Sequence, residues 1–303
     1  MANLRQYRAR LRAVRNIRTI AKTLEMASAA KLRRIQTLTE RTAPAAAAVD
    51  GILSRLVAKA GPGHPFLTAG EGDVAGLIVL AADRGMCGGY NQHIVSATID
   101  AAESLIAAGR RVRLWVIGTK GADLLKRRLS TGPDAERLPE EALAPPHAMG
   151  AGFSDRRFEA ESAALAEDLC IEFAGGWLAE VRLVYMLRFS PGSSEPATVQ
   201  ILPVPVGPAP SAEAGDAELY GEVDEIFGTL LPMVVRSRML GCFLAGSRSE
   251  QAARLLAMRA ATDNADDMIR DLFHRLNRLR QGRITAELAE IIGGMRALKG
   301  GAA

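Results

Sequence analysis

The chain has 303 residues, 48% hydrophobic and 24% charged, with a net charge of +4 and three cysteines. This composition fits a soluble globular protein with ample core and argues against a disordered, fibrous or disulfide-stapled chain. The longest apolar run, Val74–Ala82, is far too short to span a bilayer, and no secretory signal is visible. Cys87, Cys170 and Cys242 include no C-x-x-C pair and read as reduced thiols of a cytosolic protein.

The first predicted element is a long helix. From Met1 to Ala43 there is neither glycine nor proline, a stretch that exceeds an ordinary globular helix and points to a coiled coil. A forty-residue helix is about 60 Å long against about 45 Å for a body of this size, so it is expected to reach beyond it. Leu4, Tyr7, Leu11 and Val14 are spaced 3, 4, 3, as the seam of a left-handed coiled coil requires. Ile17, Ile20, Leu24 and Ala27 continue it after one short step, which predicts a stammer, with the small residues Ala27, Ala29 and Ala30 on the seam beyond. Residues 1–43 carry eleven Arg or Lys against Glu25 and Glu40, a net of +9. Such charge favours an acidic partner surface, whether protein, nucleic acid or anionic lipid, and a solvated helix face is the plainer alternative. The first 24 residues have the composition of a transit peptide, but their heptad order predicts mature structure.

Next comes an α/β segment. Gly76–Ala81 reads as a fully buried strand of a parallel sheet, followed by the glycine-rich loop Asp83–Gly89 and a helix to about Ala108. The strand Val112–Ile117 leads into a helix over Lys120–Leu129. Residues 130–155 read as loop, and a helix over Arg157–Ala174 precedes strands at Val181–Phe189 and Thr198–Val204. These two strands, separated by Pro191-Gly192-Ser193-Ser194, read as a hairpin. Residues 205–216 read as a linker.

The last element is a second long helix, capped by Ser249 after Gly246, reaching about 75 Å and fraying at Gly293-Gly294. Its stripe is Met258, Ala261, Ala265, Ile269, Leu272, Leu276 and Leu279, resuming after a five-residue step at Ile284, Leu288, Ile291, Met295 and Leu298. The stripes at the two chain ends either satisfy each other as an antiparallel hairpin or face a second copy of the chain. The predicted fold class is therefore α/β, a long antiparallel coiled coil of N- and C-terminal helices with an inserted Rossmann-like α/β domain. Its expected divisions are 1–60, 73–207 and 213–303.

Signs of chemistry are few. The loop after the first strand reads G-M-C-G-G-Y, not G-x-G-x-x-G, and no Walker pattern exists; the run Val116–Gly121 has the wrong spacing for a phosphate cradle. Asp83 and Arg84 read as a loop-ordering ion pair or as an acid and an anion clamp. Cys87 reads as a small buried cysteine or, beside glycines at a helix start, as a nucleophile. His64, His93, His147 and His274 have no metal-ligand spacing, and nothing assembles a nucleophile, base and orienting group.

Three blocks give the chain a resemblance. They are Ile20-Ala-Lys-Thr-Leu-Glu-Met-Ala-Ser-Ala-Ala-Lys31, Asp83-Arg-Gly-Met-Cys-Gly-Gly-Tyr-Asn91, and Ser249–Asn264 continued by Asn277–Glu287. In this order they resemble the gamma subunit of F-type ATP synthases, the rotating central stalk. The resemblance implies a coiled coil seated inside a hexamer of alternating alpha and beta subunits. It also implies a foot, including the 215–240 region, on the membrane c-ring beside the epsilon subunit. Ion flow then turns the stalk, which drives ATP synthesis or hydrolysis at beta sites and regulates ATPase activity. It further implies no catalytic residue, cofactor or metal in this chain, no nucleic-acid partner and no direct bilayer insertion. The location implied is peripheral, on the cytoplasmic face of the bacterial inner (plasma) membrane. Matched positions make Arg254, Gln281, Thr285 and Glu287 contacts to the alpha–beta collar, and place Lys22, Leu24 and Met26 near the acidic lever loop of beta. Leu24 stands where the family usually has methionine, and Ala27 where valine is common. Two other classes are weighed beside it: a basic coiled-coil nucleic-acid-binding protein, resting on the +9 helix, and a Rossmann-type nucleotide-binding enzyme using Gly85–Gly89.

Overall fold

A computed structural model describes residues 2–132, 134, 136–144, 148–151, 158–190, 193–207 and 222–300. His147, most of the 205–216 linker and the Pro191-Gly192 turn lie outside the described residues. The chain divides into two compact units, residues 28–254 and residues 1–27 with 255–303. Two helices contribute to both: α1 (Ala2–Ala60) and α5 (Val223–Gly300).

The larger unit is built on a five-stranded sheet in the order β3-β2-β1-β4-β5. β1 (Val74–Leu80), β2 (Arg111–Ile117), β3 (Ala148–Ala151) and β4 (Glu180–Ser190) run parallel, and β5 (Ser193–Leu202) pairs antiparallel with β4. β1 is buried along its whole length, as its unalternating apolar run requires of a central strand covered on both faces. Its residues part by parity. Ala75, Leu77 and Val79 meet α2 (Tyr90–Ala107) and α3 (Thr119–Thr131) through Ile94, Val95, Ile99 and Leu125. Val74, Ile78 and Leu80 face the other core, which contains α4 (Phe158–Ala174) through Leu169 and Phe173, α1 through Ile35, Leu53 and Leu56, and α5 through Leu231, Val235 and Met239. One stretch of α5 is apolar and long enough to cross a membrane by length and composition, yet 44% of it is buried within the chain, as in a core helix.

The smaller unit pairs the start of α1 with α5. Leu11, Val14, Ala265 and Leu272 form its core, with Tyr7 and Ile269 against it. Arg18 Nε sits 2.5 Å from Asp266 Oδ1, and the Arg275 guanidinium lies close enough to the Tyr7 hydroxyl to be stabilised by it. Falling numbers on one helix meet rising numbers on the other, so the pair is antiparallel, as the terminal stripes predicted.

Four expectations are corrected. The predicted stammer is absent: Ile17 and Ile20 are 57% and 55% exposed, while Arg18 is half-buried and Ala21 and Ser28 are buried. The buried side of α1 therefore runs 4, 7, 11, 14, 18, 21, 25, 28, 32, 35 in an unbroken heptad rhythm. Ala27 and Ala30 are exposed, and Ser28 holds the seam position expected of them. On α5 the buried residue is Thr262, not Ala261, and from Arg280 to Gly293 every side chain is exposed. α5 also begins at Val223, so Ser249 is an interior buried residue and no cap, and the helix continues through Gly293 to Gly300. Last, the stretch read as loop between 130 and 155 holds the edge strand β3, in parallel register with β2.

Candidate functional site

The loop after β1 is fastened from several sides. Asp83 Oδ1 accepts from the Thr119 amide at 3.0 Å and the Thr119 hydroxyl at 3.2 Å, so it orders the loop through α3 and not through Arg84. Asn91 Oδ1 accepts from the Ala82 amide at 2.9 Å. The buried Tyr90 hydroxyl lies 3.3 Å from both Leu80 O and Gly246 O, sharing one proton between the end of β1 and the backbone of α5. From α5, Arg254 donates through Nη2 to Arg84 O at 3.0 Å and through Nε to Gly85 O at 3.4 Å. Its Nη1 lies 2.7 Å from Glu250 Oε1, one helical turn earlier. With so many fixed partners the loop holds Met86 at φ 63° and Gly88 at φ 61°, a left-handed region that a methionine rarely enters.

The chemistry this allows is narrow. A phosphate at α3 would need its first amides, yet Thr119 N is taken by Asp83, and Lys120 N and Gly121 N both reach Ala82 O, at 3.1 and 3.4 Å. Cys87 is 3% exposed, and burial raises its thiol above the ordinary range, the reverse of what activates a nucleophile. Among the described residues, no three His, Cys, Asp or Glu side chains are grouped to hold a metal. The loop is a junction between sheet, α3 and α5.

The smaller unit carries the other candidates. On α1, Lys22 Nζ pairs with Glu25 at 3.1 Å, Leu24 is half-buried and Met26 is 58% exposed. Arg5, Arg8, Arg10, Arg12 and Arg15 are exposed on the same helix. On α5, Gln281 shares a shallow polar groove with Asp271, His274, Arg275, Asn277 and Arg278. The Thr285 hydroxyl donates back to Gln281 O at 3.0 Å, and Arg283 Nε lies 2.7 Å from Glu287 Oε1. Further along, Ile284, Leu288, Ile291, Ile292 and Met295 are between 46% and 59% exposed, an apolar stripe that the described residues leave uncovered.

Comparison with known proteins bears directly on these features. The ATP synthase family model matches residues 3–298. An ATP synthase gamma chain from Rhizorhabdus wittichii is 35% identical over 306 residues, covering 98% of this chain and all of that protein. One from Erythrobacter litoralis is 36% identical over 303 residues, with the same coverage. The chain belongs to the ATP synthase gamma chain family.

Chains of solved ATP synthase structures agree in fold. A chain of the Euglena gracilis mitochondrial ATP synthase, from a structure of OSCP, F1 and c-ring, covers 99% of this chain and 96% of itself, with a TM-score of 0.59 and 17% identity. A chain of the Tetrahymena thermophila central stalk and c-ring structure covers 80% of this chain at a TM-score of 0.55 and 20% identity. As a gamma chain, the molecule does not bring its expected contact residues into one site. Lys22, Leu24 and Met26 cluster on α1, while Gln281, Thr285 and Glu287 follow one another on α5. Arg254 is 7% exposed and turned to its own chain's loop. Sequence reasoning missed Glu250 as its partner and Tyr90 as a second tie in this junction. For Glu250 the signal available was helical spacing: it lies four residues before Arg254, one turn along α5.

Proposed function

We propose that this gamma chain is the central rotor of an F-type ATP synthase, linking ion flow through a membrane c-ring to ATP synthesis or hydrolysis at beta-subunit sites. One observation carries the reading: over its full length the chain matches gamma relatives, and its two ends pair antiparallel through Leu11, Val14, Ala265 and Leu272. In this assignment residues 1–60 and 213–303 supply the shaft and residues 73–207 the inserted domain.

The chain itself performs no catalysis in this reading. The Asp83 carboxylate, the Arg84 and Gly85 carbonyls and the first amides of α3 are bonded within the chain, which supports a structural part for both loop and helix start. Lys22, Leu24 and Met26 meet the acidic lever of beta, and the exposed arginines of α1 suit that acidic surface. Gln281, Thr285 and Glu287 face the alpha–beta collar, where charge-assisted bonds favour particular rotary angles. The assembly sits on the cytoplasmic face of the bacterial inner membrane, with epsilon at the foot of the shaft.

Co-expression with alpha and beta subunits tests the reading. A purified complex that hydrolyses ATP, from a chain that is inactive alone, is the expected result. Failure to form any such complex overturns it. Within the complex, Gln281→Ala is expected to slow turnover by about tenfold, the effect of losing one charge-assisted or amide contact, while the melting of the isolated chain stays unchanged.

A further inference from the structure

Arg254 has three partners and almost no exposure. Its guanidinium fork spans Arg84 O and Gly85 O on one side and the Glu250 carboxylate on the other. Eight residues earlier on the same helix, Gly246 O shares the Tyr90 proton with Leu80 O. α5 is thus tied to the C-terminal edge of the sheet at two heights, separated by about 12 Å along the helix. Two ties at different heights resist turning of the helix against the sheet, whereas one would act as a pivot. The loop that Arg254 holds is itself fixed by Asp83 on Thr119 and Asn91 on Ala82, so load passes into α3 and β1 and not into a slack segment. Arg254 is also the last α5 residue of the larger unit.

We infer that Arg254 is a positioning residue for torque: with Tyr90 it locks α5 rotationally to the α/β domain, so that turning one turns the other. The inference rests on the rotor reading of this chain and gives Arg254 a part inside the chain in place of a collar contact. Lysine does not reproduce the lock, because a point charge lacks the planar fork that meets two carbonyls and a carboxylate together.

The test uses the complete ATP synthase reconstituted in vesicles, with the wild-type chain, Arg254→Lys, Arg254→Met and Tyr90→Phe. Ions pumped per ATP hydrolysed is the readout, because a residue that only stabilises the fold lowers the yield of complex and leaves that ratio alone. Arg254→Met and the double variant with Tyr90→Phe are expected to lower the ratio by about threefold or more, with Arg254→Lys little better than methionine. Hydrogen exchange on each isolated chain gives a second reading, with the hydrogen-bonded amides of the loop, Ala82, Tyr90 and Lys120, exchanging on the order of tenfold faster in Arg254→Met. A wild-type ratio in the Arg254→Met complex, or unchanged protection of that loop, overturns the inference. A wild-type complex that pumps nothing overturns the rotor reading instead, so the two failures are distinct.

Discussion

At the residue scale, the glycines of the loop region differ sharply in what they tolerate. Gly118 has φ 108°, and a Cβ there would lie 2.3 Å from Ala81 O; at Gly121 it would lie 2.1 Å from the Ala81 Cβ. No side chain bends away from such contacts, since both involve atoms at or next to the backbone. Gly118→Ala and Gly121→Ala are each expected to cost about 2–4 kcal/mol in urea unfolding. Gly85, inside the motif that carries the family resemblance, has open space about it and an ordinary φ, so Gly85→Ala should cost less than about 1 kcal/mol. Equal losses at all three would refute this ranking. The three cysteines give a pH prediction. Burial pushes Cys170 up to about 11 and Cys242 up to about 12, from the ordinary 9.0. A raised thiol pKa means that the folded chain keeps its proton to higher pH than the unfolded chain does. The stability this represents is whole below about 9 and is lost as pH climbs toward the folded values. The urea midpoint is therefore expected to fall between pH 9 and 11, and less steeply in Cys242→Ala than in the parent. At pH 8 fewer than about one thiol in ten should react with a thiol reagent in the time that fully labels the unfolded chain.

Among the elements, helix α1 separates what was legible from what was not. Its length and the spacing of Leu4, Tyr7, Leu11 and Val14 were plain, because apolar residues at heptad intervals are the strongest local signal. Beyond Val14 the seam passes through Arg18, Ala21 and Ser28, polar or small residues that no hydrophobicity pattern marks, while Ile17 and Ile20 point elsewhere. Loss of apolar burial then predicts the order of stabilities. Leu11→Ala and Val14→Ala should cost about 1–3 kcal/mol each in thermal unfolding of the isolated chain, and Ile17→Ala and Ile20→Ala less than about 0.5. A stammered seam would give comparable losses at Ile17 and Ile20. The start of α5 was hidden for the opposite reason: Pro232, Gly241 and Gly246 read as breakers, yet the apolar face around Leu231, Val235 and Met239 holds the helix on the sheet. Tertiary packing outweighs those propensities, which amount to about 1 kcal/mol per glycine and about 3 per proline. The four-residue strand β3 had neither length nor alternation to announce it. The candidate site followed the same division: the glycine-rich loop was visible as a motif, but its attachment to α5 through Arg254 spans 169 or 170 positions and is written in no local pattern.

For the whole molecule, the last stretch of α5 sets the isolated chain against the assembled one. Ile284, Leu288, Ile291 and Met295 recur at helical spacing and are 46%, 54%, 59% and 55% exposed. Each apolar side chain that passes from such exposure to full burial gains about 1–2 kcal/mol, so a collar closing on this stripe gains several. A bare stripe of this kind is also an aggregation liability, and the isolated chain should bind a hydrophobic dye and self-associate at high concentration. Replacing Leu288 and Ile291 by serine gives opposite effects in the two states. The free chain becomes more soluble and binds less dye, with its melting unchanged, because both residues are exposed and outside the buried core of the described residues. The complex with alpha and beta subunits is expected to lose its shaft at least about tenfold faster, since the apolar contact is gone where only assembly makes it. Gel filtration of the free chain and dissociation of the labelled chain from the complex measure the two effects. A free chain made more soluble with no change in the complex would mean that the stripe is solvent-exposed there too, and that the polar residues Gln281, Thr285 and Glu287 hold the shaft without it.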